Sequence, residues 1–374
     1  MQEFVPPPRT YTGQGSSEAL AHLVEDDDTD VHIVTDVGVV DAGIIDDVLE
    51  HFPVEPTVHA DVSANPDRET VLDLASSVAG ADLVVGIGGG SSMDAAKAAS
   101  AFPGFADERT ATLDIGPEAP IEYPDRTVPL VLVPTTAGTG TETGYWAVIS
   151  DHERDEKRSV GHPSLKATAA VLDPELTTSL PPRITAGTGF DVITHALESL
   201  VADGATSLTT PYSRSSYSLA MSSLRRATAE DDDLAARERL LEGSYLAGLA
   251  MNNAGLGAVH AISHGIGGLY DLPHGHTNAL LLPDVLRFNG NRSPRVRERL
   301  APLAETDEPA HEAVANRLER LRRDVGLDEQ PRNPPSEWDF DAIASFAVSN
   351  INMETNPADV TEADVVTLCR RVFG

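Results

Sequence analysis

The run Ala81-Asp82-Leu83-Val84-Val85-Gly86-Ile87 is almost wholly apolar, stops at Gly88-Gly89-Gly90, and passes at Ser91 into a small-residue stretch ending at Ala101. A strand that is apolar on both faces must be covered on both. Glycines leading straight into a helix mark the strand–turn–helix unit of a parallel sheet. Neighbouring segments repeat the alternation. Val31-His32-Ile33-Val34-Thr35 is a β-rich run ending at Asp36, Glu69 to Ala79 has helical periodicity, and Val128 to Val133 is another strand, closed by Pro134 and a Thr/Gly-rich loop. The expected first domain, residues 1–180, is α/β with a parallel, Rossmann-like sheet.

Beyond Asp173-Pro174 and Pro181-Pro182 the strand signals nearly vanish. Helical patterns over 191–202, 210–228, 233–252, 256–269, 294–304, 311–324, 340–348 and 361–372 predict an all-α second domain, residues 181–374. A chain of 374 residues is long enough for two such cores.

The glycine cluster has a chemical reading as well as a structural one. A tight strand-to-helix turn needs glycine, but three in a row also let the backbone approach a phosphate. The helix behind them offers free N–H groups and a partial positive charge. The spacing is neither G-x-G-x-x-G in its usual form nor a Walker loop, which needs Gly-Lys-Ser/Thr. The loop after the next strand, Pro134 to Glu142, places hydroxyls where they reach the same nucleotide, because ligands of such sheets bind off the carboxyl ends of the strands.

Histidine is concentrated elsewhere. Four of the twelve histidines, His260, His264, His274 and His276, are close together in the chain. His260 and His264 share a helix face at a spacing of four, and Asp191 and His195 repeat that spacing upstream. A lone histidine is more often a satisfied core or surface residue, but two such pairs plus a histidine on a following turn can converge on one divalent cation. Spacing does not choose which four of Asp191, His195, His260, His264, His274 and His276 bind it.

Charge excludes some partners. Asp plus Glu number 59 against 27 Lys plus Arg, a formal net charge of −32, and the only lysines are Lys97, Lys157 and Lys166. Such a chain repels phosphate backbones, so nucleic acid is not expected as a partner. The acids are interspersed among periodic apolar segments, which reads as adaptation to a high-salt cytoplasm where screening suppresses self-repulsion. Cys369 stands alone, so no intrachain disulfide forms. There is no secretory h-region, and no run approaches the ~18 apolar residues that span a bilayer. A cytoplasmic protein without membrane contact is expected.

Five segments together resemble one family. Gly-Gly-Gly-Ser-Ser-Met-Asp-Ala-Ala-Lys (88–97), Pro-Thr-Thr-Ala-Gly-Thr-Gly-Thr-Glu (134–142), Gly-Phe-Asp-Val-Ile-Thr-His-Ala-Leu-Glu (189–198), Asn-Ala-Gly-Leu-Gly-Ala-Val-His-Ala-Ile-Ser-His (253–264) and Asp-Leu-Pro-His-Gly-His-Thr-Asn-Ala-Leu-Leu-Leu-Pro (271–283) look like the iron-containing (group III) alcohol dehydrogenases. The motifs occur in family order and span nearly the whole chain. The resemblance implies a nucleotide-binding α/β domain, a helical metal domain of dehydroquinate synthase-like fold, an active site in the cleft between them, and a homodimer. It assigns a divalent ion, iron first and zinc or another transition metal as substitutes, to Asp191, His195, His260 and His274. His264 matches a histidine beside metal and substrate and is the candidate proton relay. For the cofactor, Gly88, Gly89, Gly90 and Ser91 are expected on the pyrophosphate and Asp94 on the helix behind it. Thr135, Thr136 and Leu176 are expected at the nucleotide, with Asn65 and Lys157 as weaker contacts. Asp36 is expected at the ribose, where a carboxylate repels a 2′-phosphate and favours NAD over NADP. Gly265 and His276 depart from the family pattern, which commonly has proline and a small apolar residue there, and His276 is expected to add polarity to the substrate pocket.

Three imidazoles and a carboxylate hold a divalent ion with a position open for a substrate oxygen, and nicotinamide takes the hydride. The expected substrate is a small primary alcohol or its aldehyde, walled by Phe190, Met251 and Leu256. Maleylacetate reductase-type and glycerol dehydrogenase-type oxidoreductases are the alternatives. A dehydroquinate synthase-type lyase needs more cationic side chains than three lysines provide, and a non-catalytic binding protein would not need both half-sites intact.

Overall fold

Six short strands assemble the sheet of the first unit, Pro6–Ser179. The computed structural model describes residues 4–25, 27–101, 128–151, 156–304, 306–327, 330–331 and 333–374, without the side chains of residues 151 and 156–158. In chain order the strands are β1 (Arg9–Thr12), β2 (Val31–Val34), β3 (Thr57–His59), β4 (Leu83–Gly88) and β5 (Leu130–Pro134). An antiparallel hairpin of β6 (Trp146–Asp151) and β7 (Glu156–Gly161) follows, then β8 (Ala169–Leu172). The order across the sheet is β1-β8-β5-β4-β2-β3, with every pairing parallel. From β2 the chain steps outward to β3, then returns past β2 and continues through β4, β5 and β8 on the other side. The reversal opens a crevice between the carboxyl ends of β2 and β4, the topological switch point where open α/β sheets bind ligands.

Alternation along the strands sorts the core onto two faces. Val34, Val84, Leu130 and Leu132 pack with Val71 and Leu74 of α4 (Arg68–Ser77) and with Met93, Ala96 and Ala99 of α5 (Gly90–Ala101). Ile33, Val85, Ile87, Val131 and Val171 pack on the opposite face with Leu20 of α1 (Leu20–Leu23), Val39 of α2 (Val37–Asp41) and Ile45 and Val48 of α3 (Ile44–Leu49). Covering both faces is what the uninterrupted apolar strands required, and the parallel α/β expectation is met.

The second unit joins Met1–Val5 to Leu180–Gly374. Its helices are α6 (Pro182–Val201), α7 (Thr210–Ala229), α8 (Leu234–Ala254), α9 (Ala258–Tyr270), α10 (His274–Arg292), α11 (Pro294–Leu300), α12 (Ala310–Asp324), α13 (Phe340–Ser349) and α14 (Glu362–Phe373), with no strand among the described residues. Helix α6 lies against α7, α8, α10 and α11 and buries Val192, Ile193, Ala196, Leu197 and Leu200. It starts at Pro182, well before the expected start at Asp191, because proline suits the first helical turn while Gly187 and Gly189 dilute the periodicity. A Cβ on Gly275 would collide with the Gly187 carbonyl, so this pair of glycines lets α10 approach α6 closely. The residues after Pro273, expected as a turn, are the first turn of α10 instead. Pro283 lies inside that helix and cannot bond the Ala279 carbonyl, which accepts from Arg322 Nη1 at 3.4 Å. No helix among the described residues is long and apolar enough to cross a membrane.

Candidate metal centre and nucleotide loop

Three segments of the helical unit deliver one cluster. Helix α6 presents Asp191 and His195 one turn apart, α9 presents His260, and the first residue of α10 is His274. Asp191 Oδ1 lies 3.7 Å from His195 Nε2, 3.6 Å from His260 Nε2 and 3.6 Å from His274 Nε2. These separations are too long for hydrogen bonds, yet ligands ~2.1 Å from a tetrahedral ion stand ~3.4 Å apart. The donor atoms of Asp191, His195 and His260 all lie within 4.8 Å of one another, and all three residues are buried. His274 is as near to Asp191 but has a side chain 38% exposed, so it is the more open member.

The electrostatics favour a positive occupant. Burial works to raise Asp191, but His195, His260 and His274 outweigh it and hold the carboxyl well below the usual range. Burial likewise pulls His260 down, but Asp191 and Glu198 reverse this and lift it to about 9. The negative charge that Asp191 and Glu198 bring to these buried imidazoles suits a divalent cation, which takes the place of the imidazolium proton on binding.

His264 follows one turn after His260, half-buried, its ring centroid 6.1 Å from that of His260 and 5.4 Å from that of His274. It borders the cluster without joining the three-residue set. His276 does not add polarity to a pocket as expected. It is 3% exposed, with Nε2 3.2 Å from the Leu327 carbonyl and Nδ1 3.2 Å from Arg183 Nη2, so it ties α10 to α6 and to the segment after α12. Of the expected pocket walls, Phe190 is fully enclosed, whereas Met251 and Leu256 are half-buried.

The first unit gathers the nucleotide residues at the switch point. Gly88 has φ 149°, and a Cβ there would lie 2.6 Å from Ser92 Oγ. A Cβ on Gly90 would lie 2.7 Å from Thr139 Cγ2, so the loop after β5 packs directly against the glycine turn. Helix α5 starts at Gly90, and its first-turn N–H groups lie at the end of the crevice. Asn65 N donates to Ser91 Oγ at 3.1 Å, and Thr135 N donates to the Gly88 carbonyl at 2.9 Å. Thr136 beside Gly89 is half-buried, and Leu176 belongs to the core under the sheet. Asp36 lies two residues beyond β2 and starts α2. Its Oδ1 accepts from Gly38 N at 3.0 Å and Val39 N at 3.2 Å, and its Oδ2 accepts from Ser92 Oγ at 2.8 Å across the crevice. Lys157 lies on β7 in register with Ser150, its side chain outside the described residues.

Asp94 faces inward. Its carboxylate accepts from Thr141 Oγ1 at 2.6 Å and Val148 N at 2.9 Å, beside the fully buried Lys97. Lys97 Nζ donates to the Thr141 carbonyl, to Thr141 Oγ1 at 2.8 Å and to the Trp146 carbonyl at 2.8 Å. Burial lowers Lys97 to about 8 and raises Glu142 to about 7. These groups brace the loop that packs on the glycine turn.

Comparison with known proteins agrees with both halves. The family described as iron-containing alcohol dehydrogenase matches residues 7–174, and the C-terminal part of the Fe-containing alcohol dehydrogenase family matches residues 185–373. The chain belongs to the iron-containing alcohol dehydrogenase family. It is 32% identical to a 1-propanol dehydrogenase of Citrobacter freundii over 96% of both chains. It is also 32% identical to an NAD-dependent methanol dehydrogenase of Bacillus methanolicus over 100% of both. The crystal structure of an archaeal halo-thermophilic alcohol dehydrogenase from a Red Sea brine pool superposes with a TM-score of 0.89 at 27% identity, covering 100% of each chain. This member of the iron-containing family is an oxidoreductase of CH–OH groups, a metal-dependent alcohol dehydrogenase working with NAD(P).

Three residues around the cluster escape a reading by ligand type. Glu198, one further turn along α6 from His195, accepts from His260 Nδ1 at 2.6 Å. Ser263 Oγ pairs with His274 Nδ1 at 2.9 Å. Asn278, one turn after His274, donates from Nδ2 to Asp191 Oδ1 at 2.8 Å, with His274 Nε2 3.0 Å away. Their signal lies in helical spacing from the ligands, at i+3 from His195, i+3 from His260 and i+4 from His274.

Proposed function

We propose that this enzyme interconverts a small primary alcohol and its aldehyde with NAD, at a divalent iron held by Asp191, His195, His260 and His274. The convergence of three imidazole Nε2 atoms at 3.6–3.7 Å around one carboxylate oxygen carries the reading. When bound, the ion supplies Lewis acidity at a substrate oxygen while nicotinamide exchanges hydride with the carbon. Asp191 is the one anionic ligand and offsets half of the ion's charge. Glu198, Ser263 and Asn278 hold the ligand side chains in place. His264, half-buried and one turn from His260, is the group that holds and passes the hydroxyl proton at its imidazole.

In the first unit, the glycine turn and the start of α5 receive the pyrophosphate, with Ser91, Thr135 and Thr136 around it and Asn65 pinned beside Ser91. Asp94 acts through the loop it braces, and Leu176 acts from beneath the sheet. Asp36 places a negative charge at the switch point, which disfavours a 2′-phosphate and supports NAD over NADP. A dicarboxylate substrate of the maleylacetate kind calls for cationic clamps, and Lys97 is committed to the Thr141 and Trp146 carbonyls. The charge of −32 supports a salt-rich cytoplasm as the working environment, with the enzyme a homodimer.

Nicotinamide absorbance tests the reading across short primary alcohols, diols, their aldehydes and oxo-acids. Turnover of C2–C4 alcohols or aldehydes with NAD(H) is expected. Turnover of a dicarboxylate alone would refute the substrate, and no turnover of any substrate by iron-loaded protein would refute the function.

A further inference from the structure

Helix α9 carries His260 and His264, yet its N-cap is Gly257, which has no side chain to satisfy the first N–H groups. Two distant side chains do so instead. Glu198 Oε1 accepts from Val259 N at 2.7 Å, and Asn356 Oδ1 accepts from Ala258 N at 3.0 Å. A Cβ on Gly257 would lie 2.7 Å from Asn356 Oδ1 and 2.9 Å from Glu198 Oε1, so glycine leaves room for both caps. Glu198 is 3% exposed, and its second oxygen takes the His260 Nδ1–H at 2.6 Å. One buried carboxylate thus fixes both the start of the helix and the ring orientation of a ligand on it. It also fixes the tautomer that can bind an ion: with the proton held on Nδ1, the neutral ring presents its Nε2 lone pair on the Asp191 side, 3.6 Å from Oδ1.

We propose that Glu198 is a positioning residue of the metal centre, whose charge on His260 Nδ1 sets the affinity of the site for its ion. The inference rests on the metal-binding reading above. An anionic partner raises the donor strength of an imidazole and removes its rotational freedom, and loss of such partners typically weakens metal binding about 10- to 100-fold. Ser263 is a neutral partner of His274 Nδ1, whereas Glu198 brings a formal charge to His260 Nδ1. Asn356 shares the capping role without touching a ligand. Its side-chain amide donates to Asn289 Oδ1 and accepts from Asn289 Nδ2, each at 3.0 Å.

The test measures Co2+ and Zn2+ dissociation constants by chelator competition, together with the visible Co2+ spectrum, for the wild-type protein, Glu198→Gln and Asn356→Ala. Glu198→Gln keeps the shape and removes the charge. It is expected to weaken both ions at least tenfold and to shift the Co2+ bands, while Asn356→Ala lowers the melting temperature but leaves affinity within about threefold and the spectrum unchanged. If Glu198→Gln does not fold, Glu198→Asp replaces it: the charge stays but is withdrawn from His260 Nδ1 by one methylene, and a smaller weakening of both ions with a shift of the Co2+ bands in the same direction is expected. Wild-type affinity and spectrum in the Glu198 variant would overturn the inference, as would an equal loss in Asn356→Ala, which would assign the effect to the helix start. Failure of the wild-type protein to bind either ion would instead refute the metal reading itself.

Discussion

At the scale of single residues, the most demanding group outside the metal centre is Glu142. It is 1% exposed, and among the described residues neither carboxylate oxygen has a hydrogen-bond partner from another residue. Burial raises it to about 7 against its own backbone N–H and the attraction of Lys97, whereas burial lowers Lys97 to about 8. The signs follow from linkage. The folded value of Glu142 lies above its ordinary 4.5, so its contribution to stability is complete below that value and is lost as pH rises through about 7. Lys97 behaves inversely: its contribution is complete above 10.5 and is lost as pH falls through about 8. Unfolding free energies from urea titrations at pH 5 and 7.5, in the same molar KCl, isolate the first effect when wild type is compared with Glu142→Gln. The advantage of wild type over the variant should shrink by about 2–3 kcal/mol across that range, at about 1.4 kcal/mol per unit. A difference independent of pH would contradict the account of Glu142 as a buried acid.

At the scale of elements, the crevice between β2 and β4 is bridged by Asp36 and Ser92, and of these two Asp36 carries the charge. Asp36→Asn keeps an oxygen to cap α2 and to accept from Ser92 while removing the charge. The ratio of kcat/KM for NADP to that for NAD should rise about tenfold, or about 1.4 kcal/mol, with stability within about 0.5 kcal/mol because the cap survives. An unchanged ratio would show that another element selects the cofactor. The sequence made β4, α5 and β5 legible because each is long enough for its apolar pattern to stand out. Strand β2 is legible at four residues because its largely β-branched run is wholly buried, whereas β1 (Arg-Thr-Tyr-Thr) and β3 (Thr-Val-His) are polar and partly exposed. Strand β8 (Ala-Ala-Val-Leu) opens on two alanines, and the β6–β7 hairpin has Trp146 and Val148 partly exposed. Asp191, His195 and His260 were legible as helical pairs. Glu198 was not, since an acid on a helix of so acidic a chain reads as solvated until burial and a 2.6 Å contact show otherwise. His276 misled for a related reason. Its departure from the family pattern two residues after His274 suggested an added polar group in the pocket, but residues two apart on a helix face different ways.

At the scale of the whole molecule, 59 acidic against 27 basic side chains leave a charge of −32 that screening must offset. The Debye length is about 10 Å at 0.1 M salt and about 3 Å at 1 M, so repulsion between surface acids is relieved only near the upper value. The melting temperature should therefore rise by several degrees between 0.1 M and 2 M KCl, as followed by circular dichroism. A melting temperature that does not respond to salt would rule out the halophilic reading while leaving the family and the chemistry intact.

Fold, motifs and geometry meet in the claim that one divalent ion is bound by Asp191, His195, His260 and His274. Elemental analysis of metal per chain, made side by side on wild type and His260→Ala after iron loading and desalting, tests it most directly. Close to one equivalent is expected in the wild type and less than about a tenth of that in the variant, since losing one of four ligands leaves three donors around an incomplete shell. A full equivalent retained by His260→Ala, or none bound by the wild type, would contradict it.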